Sequence, residues 1–211
     1  MAMSLNDICH WIRAAAPGGR LVSDSRRVEK GDVFFAYPGE ASDGRPHIAA
    51  AVPAGAAAVV YEEDGYTWDA AHDVRHLGVA RLKKNAGPIA HGVLQQPDAG
   101  MFTVGITGTN GKTSCAVWTG QALARLGETA AVIGTLGVGI VKGKGEPQFD
   151  PTGYTTPDAV LLAQTLADLR AREAGALAIE VSSIGLVQER AAGMHFDVAI
   201  FTNLTRDHLD F

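Results

Sequence analysis

Gly105-Ile106-Thr107-Gly108-Thr109-Asn110-Gly111-Lys112-Thr113 decides how this chain is read. The stretch follows a short apolar run over 101–106 and precedes a helix-like segment over 115–126. A strand, a glycine-rich turn ending in Lys-Thr and then a helix is the setting that a nucleotide phosphate loop requires. Glycines let backbone N–H groups crowd around phosphate oxygens. The helix N-terminus adds partial positive charge at the same spot. In this reading Lys112 reaches the outer phosphates and the Thr113 hydroxyl binds Mg2+. The spacing departs from the common form of the motif. Glycine is expected at position 106, which holds Ile106, and the glycines fall at 105, 108 and 111 instead. The plainer alternative is a glycine-rich strand-to-helix turn with a surface lysine.

Outward from this loop the second half repeats strand and helix. Strands are expected over 102–106, 130–133, 177–181 and 198–201, and helices over 113–126 and 158–174. That alternation argues for an α/β fold with a mostly parallel sheet of phosphate-loop type, helices lying on both faces. Ligands in such sheets sit beyond the carboxyl ends of the strands. The segment 142–157 is turn-rich and reads as a loop or hairpin. No internal repeat is present.

The first half reads as a smaller α/β domain. Ser4 caps a helix whose apolar side is Leu5, Ile8, Ile12 and Ala15, ended by Pro17-Gly18-Gly19. Strands are expected over 33–37, 57–61 and 74–80, with a short helix over 48–54 and a polar turn region over 62–73. A helix over 81–96 should break or kink at Gly87-Pro88. Pro97-Asp98-Ala99-Gly100 reads as a linker. The expected domains are therefore 1–98 and 99–211, the second of them incomplete.

Composition narrows the function. A chain of 211 residues holds one or two domains, and 46% hydrophobic content with 25 glycines suits a loop-rich α/β protein. With a net charge of −5 and scattered basic residues, nucleic acid is not an expected partner. Lys83-Lys84 reads as a solvated helix face. Two cysteines make no disulfide framework and fit a reducing compartment. Cys115 reads as a small core residue. No stretch approaches the ~18 apolar residues of a membrane span, and Trp11-Ile12-Arg13 interrupts any signal-peptide pattern. A cytoplasmic protein without membrane insertion is expected.

Three further segments point at the phosphate loop. The strand over 177–181 runs into Glu180-Val181-Ser182-Ser183. A carboxylate at the end of a buried strand is costly unless it is paired or bound to metal, so Glu180 reads as a Mg2+ ligand. The strand over 198–201 runs into Thr202-Asn203-Leu204-Thr205-Arg206-Asp207-His208-Leu209-Asp210. His208 there binds a second divalent ion or orients a ligand; a surface histidine in a capped turn is the alternative. Gly153-Tyr154-Thr155-Thr156-Pro157 reads as a third strand end, its threonines also suited to cap the next helix.

Gly108-Thr109-Asn110-Gly111-Lys112-Thr113, Glu180-Val181-Ser182-Ser183 and Asn203 through Asp210 together resemble the Mur ligases of peptidoglycan synthesis. The combination resembles the MurE type, which adds the third residue of the stem peptide to a UDP-N-acetylmuramoyl-dipeptide. Ser23-Asp24-Ser25-Arg26, the strand at 33–36 and Asp43-Gly44-Arg45 are similar to that family's UDP-binding domain. Single motifs are shared with folylpolyglutamate synthetase and cyanophycin synthetase.

The resemblance implies an ATP-dependent carboxylate–amine ligase working through an acyl phosphate. It implies ATP and Mg2+ as cofactors, and a UDP-N-acetylmuramoyl-peptide and an amino acid as partners. Gly108, Thr109, Asn110, Gly111, Lys112, Thr113 and Ser114 would bind ATP. Thr113, Glu180 and His208 would hold metal, with Lys112, Glu180 and His208 as the catalytic set. Ser25 and Ser23 would contact the uridine end; Thr155, Thr156, Ser182, Gln188 and Arg190 would hold the muramoyl-peptide. Glu40-Ala41-Ser42 stands where the family has another nucleotide contact but carries different residue types. Tyr154 stands in place of a common asparagine and Ile184 in place of a common histidine. The family's carbamylated lysine and C-terminal domain lie downstream of position 211, so a fragment of a longer protein is expected. A folylpolyglutamate-synthetase-like ligase is one alternative; a substrate- and nucleotide-binding module without ligase activity and a plain phosphate-loop NTPase are the competing classes. An open reading frame continuing by about two hundred residues, one domain's worth, would separate them from the ligase.

Overall fold

The structure is a computed structural model that describes residues 3–39, 42–145 and 147–205. Its residues cluster into two compact units, Met1–Gln96 with Ala159–Gln164, and Pro97–Asp158 with Thr165–Phe211.

The first unit opens with helix α1 (Leu5–Ala15). Ser4 caps it: the Asp7 N–H donates to Ser4 Oγ at 3.2 Å, and the Ser4 N–H returns to Asp7 Oδ2 at 3.2 Å. This reciprocal box satisfies amides that a helix start leaves bare. Ile8 and Ile12 face the core as expected, but Leu5 is 45% exposed, because it lies in the first turn beyond the packed stripe.

Strands β1 (Leu21–Val22), β2 (Val33–Ala36), β3 (Ala58–Glu62) and β4 (Arg75–Val79) form a four-stranded sheet in chain order, every pair parallel. The two-residue β1 carried no periodic signal in the sequence. All four residues of β2 are buried, as a parallel strand covered on both faces requires. One face holds Val33, Phe35, Ala58 and Val60 against α1 and helix α3 (Leu82–Val93). The other holds Phe34, Ala36 and Val59 against helix α2 (Ile48–Ala54).

Helix α3 continues through Pro88 instead of breaking there. Proline removes one intrahelical bond. Burial of Leu82, Ala86, Ile89 and Ala90 on one face, about 0.8 kcal/mol per buried CH2, outweighs it. Its first turn is held by the buried Glu62, whose Oε1 and Oε2 accept the N–H groups of Arg81 (2.9 Å) and Leu82 (2.6 Å). Glu62 is thus the last residue of β3, not the start of a polar turn.

The second unit is built on β5 (Phe102–Thr107), helix α4 (Lys112–Arg125), β6 (Thr129–Gly134), β7 (Gly137–Lys142), β8 (Gln148–Asp150), the later part of helix α5 (Ala159–Ala171), whose residues up to Gln164 belong to the first unit, β9 (Ala176–Glu180), helix α6 (Ser183–Val187) and β10 (Val198–Phe201). The sheet order is β10-β5-β9-β6-β7-β8. The first four are mutually parallel, and β7 and β8 extend the sheet as antiparallel strands.

Strand β7 was hidden in the sequence because its buried positions are Gly137, Gly139 and Val141. Glycines there allow close approach: a Cβ on Gly139 would lie 2.9 Å from the Gln148 carbonyl oxygen. No strand ends at 153–157; those residues form a loop between β8 and α5. Strand β5 lies between β9 and β10. The carboxyl ends of three parallel strands therefore flank the turn at 108–111, the place where such sheets bind ligands.

Candidate functional site: a phosphate loop with a buried carboxylate

The turn after β5 needs its glycines. Gly108 (φ 125°) and Gly111 (φ 84°) both sit in the left-handed region. A Cβ on Gly108 would also collide with Thr202 Oγ1. Gly111 is the N-cap of α4 and has no side chain to offer the helix start, so the first-turn amides of this 14-residue helix point toward any anion in the loop.

The segment after β10 clamps the loop. Asn203 accepts the Thr109 N–H on its backbone oxygen (2.9 Å) and the Asn110 N–H on Oδ1 (3.2 Å). Thr202 Oγ1 donates to the Asn110 carbonyl at 2.7 Å, and the Thr205 N–H donates to Thr109 Oγ1 at 2.9 Å. Lys112 Nζ donates to the carbonyls of Gly108 (2.7 Å) and Thr109 (2.9 Å). Its charge therefore stands at the loop and not over the protein surface. Ser114 is exposed on the first turn of α4.

Glu180 ends β9 and is 2% exposed. Thr113 Oγ1 donates to Glu180 Oε2 at 3.1 Å. The Thr135 N–H donates to Oε1 at 2.9 Å, and Thr135 Oγ1 donates to Oε2 at 3.3 Å. The carboxylate is buried but fully engaged, which resolves its desolvation cost. Thr135 carried no sequence signal; only the hairpin between β6 and β7 brings it here. A hydroxyl and a carboxylate at the mouth of a phosphate loop are hard oxygen donors that suit Mg2+. Among the described residues no three His, Cys, Asp or Glu side chains gather as a metal cage, so a metal here would share its ligands with bound phosphates. His208 lies outside the described residues, as do Glu40 and Ala41.

A second group adjoins the first. Thr155 Oγ1 lies 3.0 Å from Thr135 Oγ1. Thr156 is fully buried; its hydroxyl donates to the Glu180 carbonyl and accepts the Ser182 N–H, each at 3.0 Å. It ties the loop to the end of β9 and does not cap α5. Ser182 caps α6 by accepting the Gly185 N–H at 3.0 Å. Arg190 donates to the Thr156 carbonyl (2.7 Å) and to Gln188 Oε1 (2.6 and 2.9 Å). Hydrogen bonds thus link Ser182, Gln188 and Arg190 through the buried Thr156, and Thr155, next to it in the chain, contacts Thr135. Tyr154 is exposed and Ile184 half-buried.

Ser23 and Ser25 lie in the first unit, just beyond the carboxyl end of β1. Ser25 opens a 3-10 turn, Ser25–Arg27, capped by Asp24.

Two family models match the chain. One, described as the Mur ligase middle domain, covers residues 106–211, half of the chain. The other, described as the Mur ligase family catalytic domain, covers residues 20–92.

The chain belongs to the Mur ligase family.

Among its relatives, a UDP-N-acetylmuramoyl-L-alanyl-D-glutamate--2,6-diaminopimelate ligase of Janthinobacterium sp. (strain Marseille) is 60% identical over 99% of this chain. One of the same name from Ralstonia nicotianae is 48% identical over the whole of it. This chain spans 41% of the length of each. A solved structure of a ligase of that name matches with a TM-score of 0.70 at 31% identity, over 90% of this chain and 37% of that one. The Mur ligase likeness thus runs through both units, phosphate loop included. No helix among the described residues is long and apolar enough to cross a membrane.

Proposed function

We propose that this protein works as an ATP-dependent amide-forming ligase of peptidoglycan precursor synthesis. It adds an amino acid to UDP-N-acetylmuramoyl-L-alanyl-D-glutamate, and the names of its relatives point to 2,6-diaminopimelate as that amino acid. The observation that carries the reading is the contact of Thr113 Oγ1 with the buried Glu180 carboxylate at 3.1 Å, beside the phosphate loop. A phosphate loop alone would fit any nucleotide protein. The polar face of Thr155, Ser182, Gln188 and Arg190, braced by the buried Thr156, gives the same unit a place for a second, polar substrate, which a plain NTPase does not need.

A carboxylate is a poor electrophile and must be activated before an amine attacks it. An oxygen of the substrate carboxylate attacks the γ-phosphorus of ATP; ADP leaves and an acyl phosphate forms. The amine nitrogen then adds to the carbonyl carbon, phosphate departs with the C–O bonding pair, and the nitrogen gives up a proton. Positioning and charge neutralisation dominate such a phosphoryl transfer. The amides of Gly108, Gly111 and Ser114 would line the phosphates, Thr109 and Asn110, their own amides held by Asn203, would shape the loop around them, and Lys112 would turn from the loop carbonyls to the outer phosphate oxygens. Thr113 and Glu180 would hold Mg2+, with His208 as a further ligand. When bound, the ion offsets charge on the transferring phosphoryl group. Thr155, Ser182, Gln188 and Arg190 orient the muramoyl-peptide, with Thr156 bracing them, and Ser23 and Ser25 contact its uridine end. ATP consumption and the free thiols of Cys9 and Cys115 fit the cytoplasm.

The test is an ATP-dependent ligation assay of the full-length protein with UDP-N-acetylmuramoyl-L-alanyl-D-glutamate and a panel of amino acids. Amide product with 2,6-diaminopimelate, one ADP per bond, is expected. ATP hydrolysis without amide from any amino acid overturns the reading.

A further inference from the structure

We infer that Thr135 is a positioning residue that holds the Glu180 carboxylate in its metal-binding orientation and links it to the substrate-facing Thr155. The inference deepens the proposed function and rests on its Mg2+–nucleotide site.

The last torsion of a glutamate side chain is soft, so a carboxylate keeps one orientation only if its partners impose it. Among the described residues Glu180 has two such partners, Thr113 and Thr135. Thr113 uses the same hydroxyl that would bind the metal. Once that oxygen turns to a cation, the remaining contacts on the carboxylate from the described residues are those of Thr135. These engage both oxygens, the N–H on Oε1 and the hydroxyl on Oε2, and so fix the carboxylate plane.

The backbone is built for this approach. Gly134 and Gly137 face each other in the β6–β7 register, which leaves Thr135 at the hairpin tip. A Cβ on Gly134 would collide with Glu180 Oε1, so glycine there is what lets the tip reach the carboxylate.

The proton order follows. The Thr135 hydroxyl has one proton and donates it to Glu180 Oε2. In the 3.0 Å pair with Thr155, Thr135 must then accept, and Thr155 donates. The result is a directed chain from Thr155 to Thr135 to Glu180, in which each bond polarises the next. A substrate group that draws the Thr155 proton away weakens that chain, so occupancy of the substrate face is felt at the metal ligand.

The experiment compares wild type, Thr135→Val and Thr135→Ser in the full-length protein. Val keeps the shape and the N–H but removes the hydroxyl; Ser restores it. Calorimetry measures ADP affinity with and without Mg2+, assays give kcat and the Mg2+ concentration for half-activation, and thermal melts report folding. Second-layer partners of metal ligands typically contribute 10- to 100-fold. In Thr135→Val the gain in ADP affinity on adding Mg2+ should shrink about tenfold, with half-activation rising by a similar factor. Metal-free ADP affinity and the melting temperature stay at wild-type values, and Thr135→Ser restores the Mg2+ gain.

A Thr135→Val protein with the wild-type Mg2+ gain overturns the inference. So does an equal loss of affinity with and without metal, or a Ser variant as impaired as Val. If Val lowers the melting temperature, Thr135→Ala must reproduce the Mg2+-specific loss in a folded protein, and its failure to do so is equally decisive. A wild-type protein whose ADP binding ignores Mg2+ removes the metal site itself, and that result is distinct from all of these.

Discussion

Lys112 illustrates what one side chain contributes and what it does not. Among the described residues its ammonium bonds only to loop carbonyls, and it takes no part in the hydrophobic clusters of this unit or of the first. Lys112→Ala should therefore leave folding intact while removing a charge aimed at the transferring phosphoryl group. Losing one such electrostatic donor commonly costs about 100- to 1,000-fold in kcat. ATP turnover measured beside a thermal melt checks this; wild-type turnover in a folded variant would remove Lys112 from the site. Gly108 is a residue-scale constraint of another kind. Its role follows from a φ of 125° and from the closeness of Thr202, neither of which needs a side chain.

At the scale of elements, the connection from β1 to β2 depends on Asp32. It is buried, and it accepts Arg20 Nε at 3.1 Å, the second guanidinium nitrogen at 2.8 Å and the Glu29 N–H at 2.8 Å. Burial alone would raise its pKa, but the Arg20 and Glu29 hydrogen bonds outweigh that and hold the carboxyl below its ordinary 3.8. A depressed folded pKa means that the unfolded chain binds the proton more tightly. The stabilisation is therefore complete well above pH 4 and is lost as pH falls through the folded value. Asp32→Ala should cost about 1–2 kcal/mol at pH 7, a figure kept low because the Arg20 side chain is 47% exposed. Urea unfolding should find wild type and variant converging below pH 4. A difference that stays constant down to pH 2 would refute the ion-pair account.

For the whole molecule, the first unit's core includes a segment remote in sequence. Val160 and Ala163 of α5 sit in the same buried cluster as Ile12, Phe35 and Leu82, and Gln164 accepts the Leu21 N–H at 3.1 Å. The polypeptide 1–96 on its own lacks all three. Burying a valine side chain contributes about 1.5–3 kcal/mol, so 1–96 alone should unfold at a lower urea midpoint than the same unit in the 211-residue chain. Tryptophan fluorescence can follow this, since Trp11 and Trp68 both lie in that unit. An equal midpoint would mean that α5 adds nothing to the core.

Sequence alone determined what is local in the chain. The capped start of α1, the buried runs of β2 and β3, and the turn Gly108 to Thr113 before α4 are written in consecutive residues, where propensity, capping and glycine freedom act without distant partners. The alternation of strand and helix in the second half, and with it the parallel sheet, was legible for the same reason. What the tertiary structure decided is what depends on partners far apart in sequence. The glycine-lined β7 has no periodic apolar face, and Pro88 stays helical because the core holds its neighbours. Val160 and Ala163 join a core whose other buried residues come from the first ninety. Thr135 is one threonine among many until a hairpin tip meets the end of β9. Sequence spacing carries no distance between separate strands, and the site is made of such distances.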